Sequence, residues 1–298
     1  MAELGASWRA QPAHAPGLAD LINDACAAWP DFEPMTVAGL EHELHDPAER
    51  YEAWGDTRCP LAACFIWDPA TPRDALLASV PYLRDPADEQ AWTTVLRRSE
   101  EVAFERGCAL EIGVREQLVD HCRRLEARGY RVVRTVLRMA LDVAQTAALA
   151  AEWPAGARLI FDPAPERMAE ARNRSFADHY GAVAITAESV AHDRNAPTYV
   201  RGDHTVVDVD GEVAGYLSVS LHGDDGWIES IGVIPAFRRR GLGRALAIHG
   251  TRELARRGAR RLLLGVDAEN RYGAPELYRR LGFTVTSRAL RYRRAPVP

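Results

Sequence analysis

Residues Val233–Leu246 read VIPAFRRRGLGRAL. Pro235 ends an apolar run, and Gly241 and Gly243 follow in a basic turn. From Leu242 the leucines at 242, 246 and 254 fall on one side, and Gly258 stops the run, which predicts a helix. Glycines at a strand-to-helix bend let the main chain approach a ligand without interference from a Cβ. The unpaired amides of the first helical turn then converge on a point that favours anions. Arg238, Arg239, Arg240 and Arg244 add positive charge. Together these features predict a diphosphate site. The loop lacks the lysine and following Ser or Thr of a nucleotide-binding P-loop. Leu246 stands where a dinucleotide fingerprint places its third glycine.

Upstream, His204–Val209 and Glu212–Leu221 read as strands joined at Asp210-Gly211, a hairpin signal. After the turn HGDDG (222–226), Trp227–Ile234 reads as the strand that enters the loop. Downstream, Arg261–Val266 predicts a central strand. Pro275 suits the first turn of a helix carrying Leu277 and Leu281, and Gly282 is its C-terminal cap. Phe283–Tyr292 closes as a strand. Pro165–Phe176 and Ala187–Asn195 read as helices. The succession of helix, glycine, apolar strand, helix and glycine occurs twice, since Arg124–Leu141 resembles Leu277–Arg294 and Glu105–Val114 resembles Arg256–Val266. The chain is therefore expected to be two α/β domains, 1–143 and 157–298, each a mixed sheet flanked by helices. In the first copy the loop position falls on Ala87–Thr93, which has no glycine or arginine and carries Asp88 and Glu89. That copy is expected to be degenerate and to help wall an acceptor pocket.

The loop and the segment downstream of it resemble the GNAT superfamily of N-acetyltransferases. The loop pattern Gln/Arg-x-x-Gly-x-Gly/Ala is met by Arg238, Gly241 and Gly243. Farther on, Asn270 precedes LYRRLGF (Leu277–Phe283). The resemblance covers Arg158–Arg294 and implies acetyl-CoA as co-substrate. It implies that the backbone around Ile231, Gly232 and Val233 bonds the pantetheine arm, and that amides of Arg239, Arg240, Gly241, Leu242, Gly243 and Arg244 hold the pyrophosphate. Asn270 would contact the arm, and Tyr278 would protonate the departing thiolate. The first copy has Leu125 where the second has Tyr278. The tandem build, with the second copy working, is similar in architecture to the mycothiol synthase family.

Glu229 is the candidate base, direct or through water, because a period of two places it with Ile231 and Val233. A reaction with no dedicated base is the other possibility. The turn acids Asp224 and Asp225 are candidates to attract a cationic amine. No cysteine lies in the C-terminal half to carry an acyl group, so direct attack is expected. The leading expectation is acetyl transfer to a primary amine of a small molecule. Acetylation of a peptide or protein N-terminus, and a non-catalytic acyl-CoA sensor, are the alternatives.

All 37 basic residues of the 298 are arginine, and the net charge is −5. This argues against a nucleic-acid partner, which wants a basic face, and it removes any lysine base or Schiff base. No metal is expected: Cys26, Cys59, Cys64, Cys108 and Cys122 match no metal or redox spacing, and His42 and His45 in EHELH lack the order of a zinc helix. The cysteines are expected to be small buried apolar groups. With neither a membrane-length apolar run nor a secretory leader in view, a cytoplasmic location is expected. Composition leaves the oligomeric state and the acceptor open, with an antibiotic, amino sugar, polyamine or thiol-sugar intermediate all compatible.

Overall fold

The paired glycines of the repeat lie where the sequence places them, after matching helices in two copies of one sheet order. The computed structural model describes residues 4–29, 32–69 and 74–296; residues 1–3, 30–31, 70–73 and 297–298 of the expected domain ranges lie outside these. Two units result, 1–135 with 289–298, and 136–288.

The first unit contains β1 (Trp8–Arg9), α1 (Ala15–Cys26), α2 (Val37–Glu43), β2 (Glu49–Asp56), β3 (Cys59–Trp67), β4 (Ala75–Ala78), β5 (Tyr82–Leu83), α3 (Glu89–Glu105), β6 (Ala109–Arg115) and α4 (Val119–Ala127). β7 (Arg131–Asp142) leaves it, and the second unit continues with β8 (Ala157–Phe161), α5 (Pro165–Phe176), α6 (Ala187–Asp193), β9 (His204–Val209), β10 (Glu212–His222), β11 (Asp225–Val233), α7 (Leu242–Arg256), β12 (Arg261–Asp267) and α8 (Ala274–Arg280). The last strand, β13, spans Thr284–Arg294.

In the first unit the strand order is β1-β2-β3-β4-β6-β13, with β4 and β6 parallel and the other neighbours antiparallel. In the second it is β8-β9-β10-β11-β12-β7, with only β11 and β12 parallel. The fold class is thus the expected mixed α/β, but the final strands are exchanged. Ala289–Arg294 of β13 pairs with β6, and Val136–Asp142 of β7 pairs with β12. The first unit is therefore discontinuous in sequence and the second is the continuous span 136–288, where 1–143 and 157–298 were expected. The Ala-rich join is not an open linker throughout: Val143–Ala148 forms a 3-10 turn, and the Val143 amide bonds Arg260 O at 3.1 Å.

β13 matters to the first unit through Tyr292, which is 1% exposed in the core around Leu96, Leu110 and Leu125 and donates its hydroxyl to Glu126 at 2.8 Å. Tyr292→Ala is expected to destabilise the protein by about 3–5 kcal/mol, the range for emptying a buried aromatic site, as read from urea unfolding.

In the second unit the sheet lies between α5 and α7. Tyr216 of β10 faces α5, its ring 6.1 Å from Phe176, and the next residue, Leu217, meets Gly250 of α7. The buried leucines at 242, 246 and 254 make the stripe read from the sequence. A Cβ on Gly232 would stand 2.5 Å from Ser175 and from Tyr216, so glycine there lets α5 approach the strand. The cysteines are free, and Cys59, unlike the other four, is exposed rather than buried. Among the described residues no helix is long and apolar enough to cross a membrane.

Candidate active site

The parallel ladder between β11 and β12 is short. It runs from Asp225 opposite Arg261 to Ile228 opposite Leu264 and stops. Beyond it Ser230–Val233 keeps its partners on β10, but its other edge has no partner strand among the described residues. An unpaired edge at the centre of a sheet is a template for an added extended chain. Ile231, Gly232 and Val233 all lie along it.

The chain leaves β11 through a 3-10 turn at Pro235–Phe237 and enters the basic loop. Arg239 (φ 64°) and Gly241 (φ 84°) both adopt left-handed backbone. The first helical amide with a backbone acceptor is that of Ala245, bonded to Gly241 O at 3.0 Å. The amides of Arg239–Arg244 have no acceptor among the described residues, and no acidic side chain lies in the loop. Gly243 has open space around it, since a Cβ would come no nearer than 3.8 Å to Val233 and Leu277. The four arginines are not equivalent. Arg239 and Arg240 are exposed, and Arg244 bonds Ala150 O at 3.1 Å.

Arg238, expected to add its charge to the phosphate site, is instead bound by protein. Its Nε donates to Val233 O (3.0 Å), Nη1 and Nη2 donate to the Asp178 carboxylate (2.8 and 3.0 Å), and Nη2 also donates to Ser175 O (3.0 Å). The guanidinium lies 4.1 Å from the Tyr272 ring centroid. Tyr272 donates its hydroxyl to Asp178, and Arg271 donates to the Tyr272 hydroxyl (2.7 Å) and to Asp178 O (3.2 Å). Arg238 and Tyr272 hold the Asp178 carboxyl far below the usual carboxylate range. Next to it, His179 packs edge-on to Phe176 and Tyr272, with both ring nitrogens buried and unbonded. Burial lowers its pKa and favours the neutral ring.

Tyr278 lies on α8 and is 8% exposed, edge-on to Phe283 at 5.9 Å. Burial, and secondarily Tyr216, push its pKa up to about 12, so it keeps its proton at neutral pH. Tyr216 shares a hydrogen bond with Ser230 on β11. Asn270 turns its carbonyl oxygen to the backbone, accepting from Tyr272 N (3.0 Å) and Ala274 N (3.3 Å). This shapes the entry to α8, and only the side-chain amide remains for a ligand.

Glu229 does not share a face with Ile231 and Val233. The β10–β11 register passes from Ser218 opposite Ser230 to Val219 opposite Ile228, so Glu229 is the extra residue of a bulge. A bulge breaks the period of two on which the face assignment rests. The carboxylate accepts a hydrogen bond from Ser220, which bonds His222 Nε2 at 3.0 Å. It lines a cavity of about 240 Å³ with Ser218, Ser220, Tyr199, His204 and Asp193. His204 accepts from Arg194 Nε at its Nδ1 (3.3 Å), and burial, followed by the Arg194 charge, lowers its pKa to about 4. The turn acids are not free to attract an amine. Asp225 takes a two-point bond from Arg261 (2.9 and 2.6 Å), and Asp224 pairs with Arg260 at 3.4 Å.

In the first unit the matching helix, α3, is capped by its own acid: the Asp88 carboxylate accepts from the Ala91 amide at 2.9 Å. Leu125 is fully buried there.

Residues 166–283 match the model of the Acetyltransferase (GNAT) family. A mycothiol acetyltransferase of Thermobifida fusca is 35% identical over 134 residues, covering 41% of this chain and 41% of that protein. One of Thermomonospora curvata is 32% identical over 162 residues, covering 53% and 54%. The chain thus spans about half or less of the length of these curated relatives. Over nearly full length the fold resembles a GCN5-related N-acetyltransferase of Sphaerobacter thermophilus (TM-score 0.71, 24% identity, 98% of this chain and 96% of that one). It also resembles a tandem GNAT protein from the clavulanic acid biosynthesis pathway (TM-score 0.75, 16% identity, 98% and 99%). At these identities the likeness concerns the fold.

Proposed function

We propose, from the premise that residues 166–283 are a GNAT acetyltransferase domain, that the protein transfers an acetyl group from acetyl-CoA to a primary amine of a small molecule by direct attack. The observation that carries this reading is the unpaired edge of Ser230–Val233 leading into a loop whose amides and charge suit a diphosphate. The donor supplies an acyl group activated as a thioester. Amides of Arg239–Arg244 hold its diphosphate, the backbone of Ile231–Val233 takes its arm, and the Asn270 amide is available to the same arm. Ordering the donor at this edge, next to the cavity at Glu229, turns an encounter of two molecules into a reaction within one complex.

Tyr278 keeps a proton at neutral pH and donates it to the leaving thiolate. Glu229, with no cation paired to it among the described residues, accepts the proton of the incoming amine directly or through water. The Glu229 cavity counts Ser218, Ser220, Asp193 and His204 among its lining residues and has room for a small acceptor. That favours a small molecule over a protein terminus. The names of the curated relatives point the same way. A silent second site in the first unit agrees with the cap on α3, since the Asp88 carboxylate stands where a phosphate would bind.

Glu229→Gln preserves the bulge and the Ser220 contact but cannot take a proton. It is expected to lower kcat/KM for the amine by roughly a hundredfold and to shift the pH–rate profile so that activity returns at alkaline pH, where the amine is already neutral. Release of free CoA across an amine panel checks it; an unchanged rate would assign the reaction to a path without a protein base. CoA binding with no turnover on any amine would support the sensor reading instead.

A further inference from the structure

We propose that Asp178 is a positioning residue for the donor's diphosphate, acting through Arg238 on the loop that binds it. The inference rests on the acyl-CoA reading above. Asp178 lies just beyond the C-terminus of α5, where the helix dipole disfavours a carboxylate. Its charge therefore does not serve α5. It is held from the other side, by segments that flank the open edge between β11 and β12. Arg238, in the loop after β11, gives it a two-point bond, and Tyr272, in the loop after β12, gives it a hydroxyl. One carboxylate thus ties together the two loops between which the donor would enter.

The loop needs such a tie. Arg239 carries a side chain in left-handed backbone (φ 64°), a conformation that persists only where its surroundings over-determine it. Arg238, one residue earlier, is fixed by hydrogen bonds to Val233, Ser175 and Asp178, and among the described residues the two to Asp178 are its only bonds to a charged partner. That geometry is specific to a planar guanidinium facing a carboxylate. It fixes where the loop leaves β11, and so where the amides of Arg239–Arg244 point. Asp178 touches none of those amides, and its effect passes through Arg238.

The test compares two donors: acetyl-CoA, and S-acetylpantetheine, which lacks the diphosphate and nucleotide. Asp178→Ala is expected to weaken CoA binding roughly tenfold, measured by calorimetry, and to raise KM for acetyl-CoA by a similar factor. kcat at saturating acetyl-CoA should stay within about twofold, and the kinetics with S-acetylpantetheine should not change. Asp178→Glu, which keeps the charge, should recover part of the loss. Binding of CoA to the unaltered protein is measured first. Its absence would defeat the acyl-CoA reading itself. Its presence, with an equal or tighter Kd in Asp178→Ala, would overturn the positioning role alone, as would an equal loss with both donors. Should Asp178→Ala lose its cooperative melt, Tyr272→Phe carries the test, because it removes one hydroxyl bond to the same carboxylate. A rise of about threefold in the CoA Kd supports the role, and no rise overturns it.

Discussion

Gly241→Asp is expected to abolish CoA binding while leaving the protein folded. Gly241 is the N-cap of α7 in left-handed backbone, and a Cβ there meets nothing within 4 Å. The steric cost of a side chain is therefore confined to backbone strain of about 1–2 kcal/mol, less for Asp, which visits this region readily. The electrostatic effect is larger. A carboxylate at the N-cap accepts from the amides of the first turn, so the variant places its own anion where the proposed diphosphate site lies. Hydrogen bonds to charged groups contribute about 1.5–3 kcal/mol each. Losing two of them raises the dissociation constant by roughly a hundredfold to ten-thousandfold, before repulsion is counted. The first unit already has this arrangement, since Asp88 caps α3. Gly241→Ala is the control: it carries the backbone strain without the anion and should keep affinity within about tenfold of the parent. Calorimetry with CoA, alongside a thermal melt, makes the comparison. A Gly241→Asp variant that binds CoA normally would remove the phosphate assignment.

Tyr278→Phe is expected to lower kcat by about a hundredfold or more and to leave CoA affinity unchanged. The ring is buried against Phe283, and its hydroxyl has no hydrogen-bond partner among the described residues, so phenylalanine fills the same space and strands no polar group. Loss of the hydroxyl should therefore appear in chemistry and not in stability. The sign of the pH dependence follows from burial. The pKa of Tyr278 is pushed up to about 12, so the acid stays protonated across the working range. The parent enzyme should then show no fall in kcat from this group until pH approaches that value. A thiol ester with a better leaving group needs less protonation, so an acetyl donor of low thiol pKa should narrow the gap between parent and variant. Equal loss of kcat and of CoA binding would give the tyrosine a packing role only.

The glycine-rich basic loop is legible in the sequence because its physics is local. A strand end, two glycines and a helix start fall within a dozen residues, and the structure keeps that order. The repeat is legible for a similar reason: Gly107, Gly129, Gly258 and Gly282 all take positive φ after helices, a conformation only glycine adopts freely. Four features cannot be read in this way. Strict alternation puts Glu229 on the face of Ile231, and a one-residue bulge, invisible to periodicity, turns it toward Ser220. Arg238 looks like its neighbours in the run RRR, and only the fold shows that its guanidinium is held by Asp178, 60 residues earlier. Asp178 itself gives no signal, because its partners Arg238 and Tyr272 lie 60 and 94 residues away. The exchange of final strands is hidden as well, since both copies carry a suitable strand in the expected place and sequence does not say which sheet it joins.

That exchange bears on how the chain is made. Domains commonly fold in turn as they emerge during synthesis, but the earlier half here waits for a strand encoded beyond the later one. Until Ala289–Arg294 arrives, β6 has β4 on one side but lacks its β13 neighbour on the other, and Tyr292 is missing from the interior. The nascent protein therefore carries an incomplete sheet edge while the whole of 136–288 is being translated. A premature stop codon at position 289 would spare the half just completed and cripple the one made first.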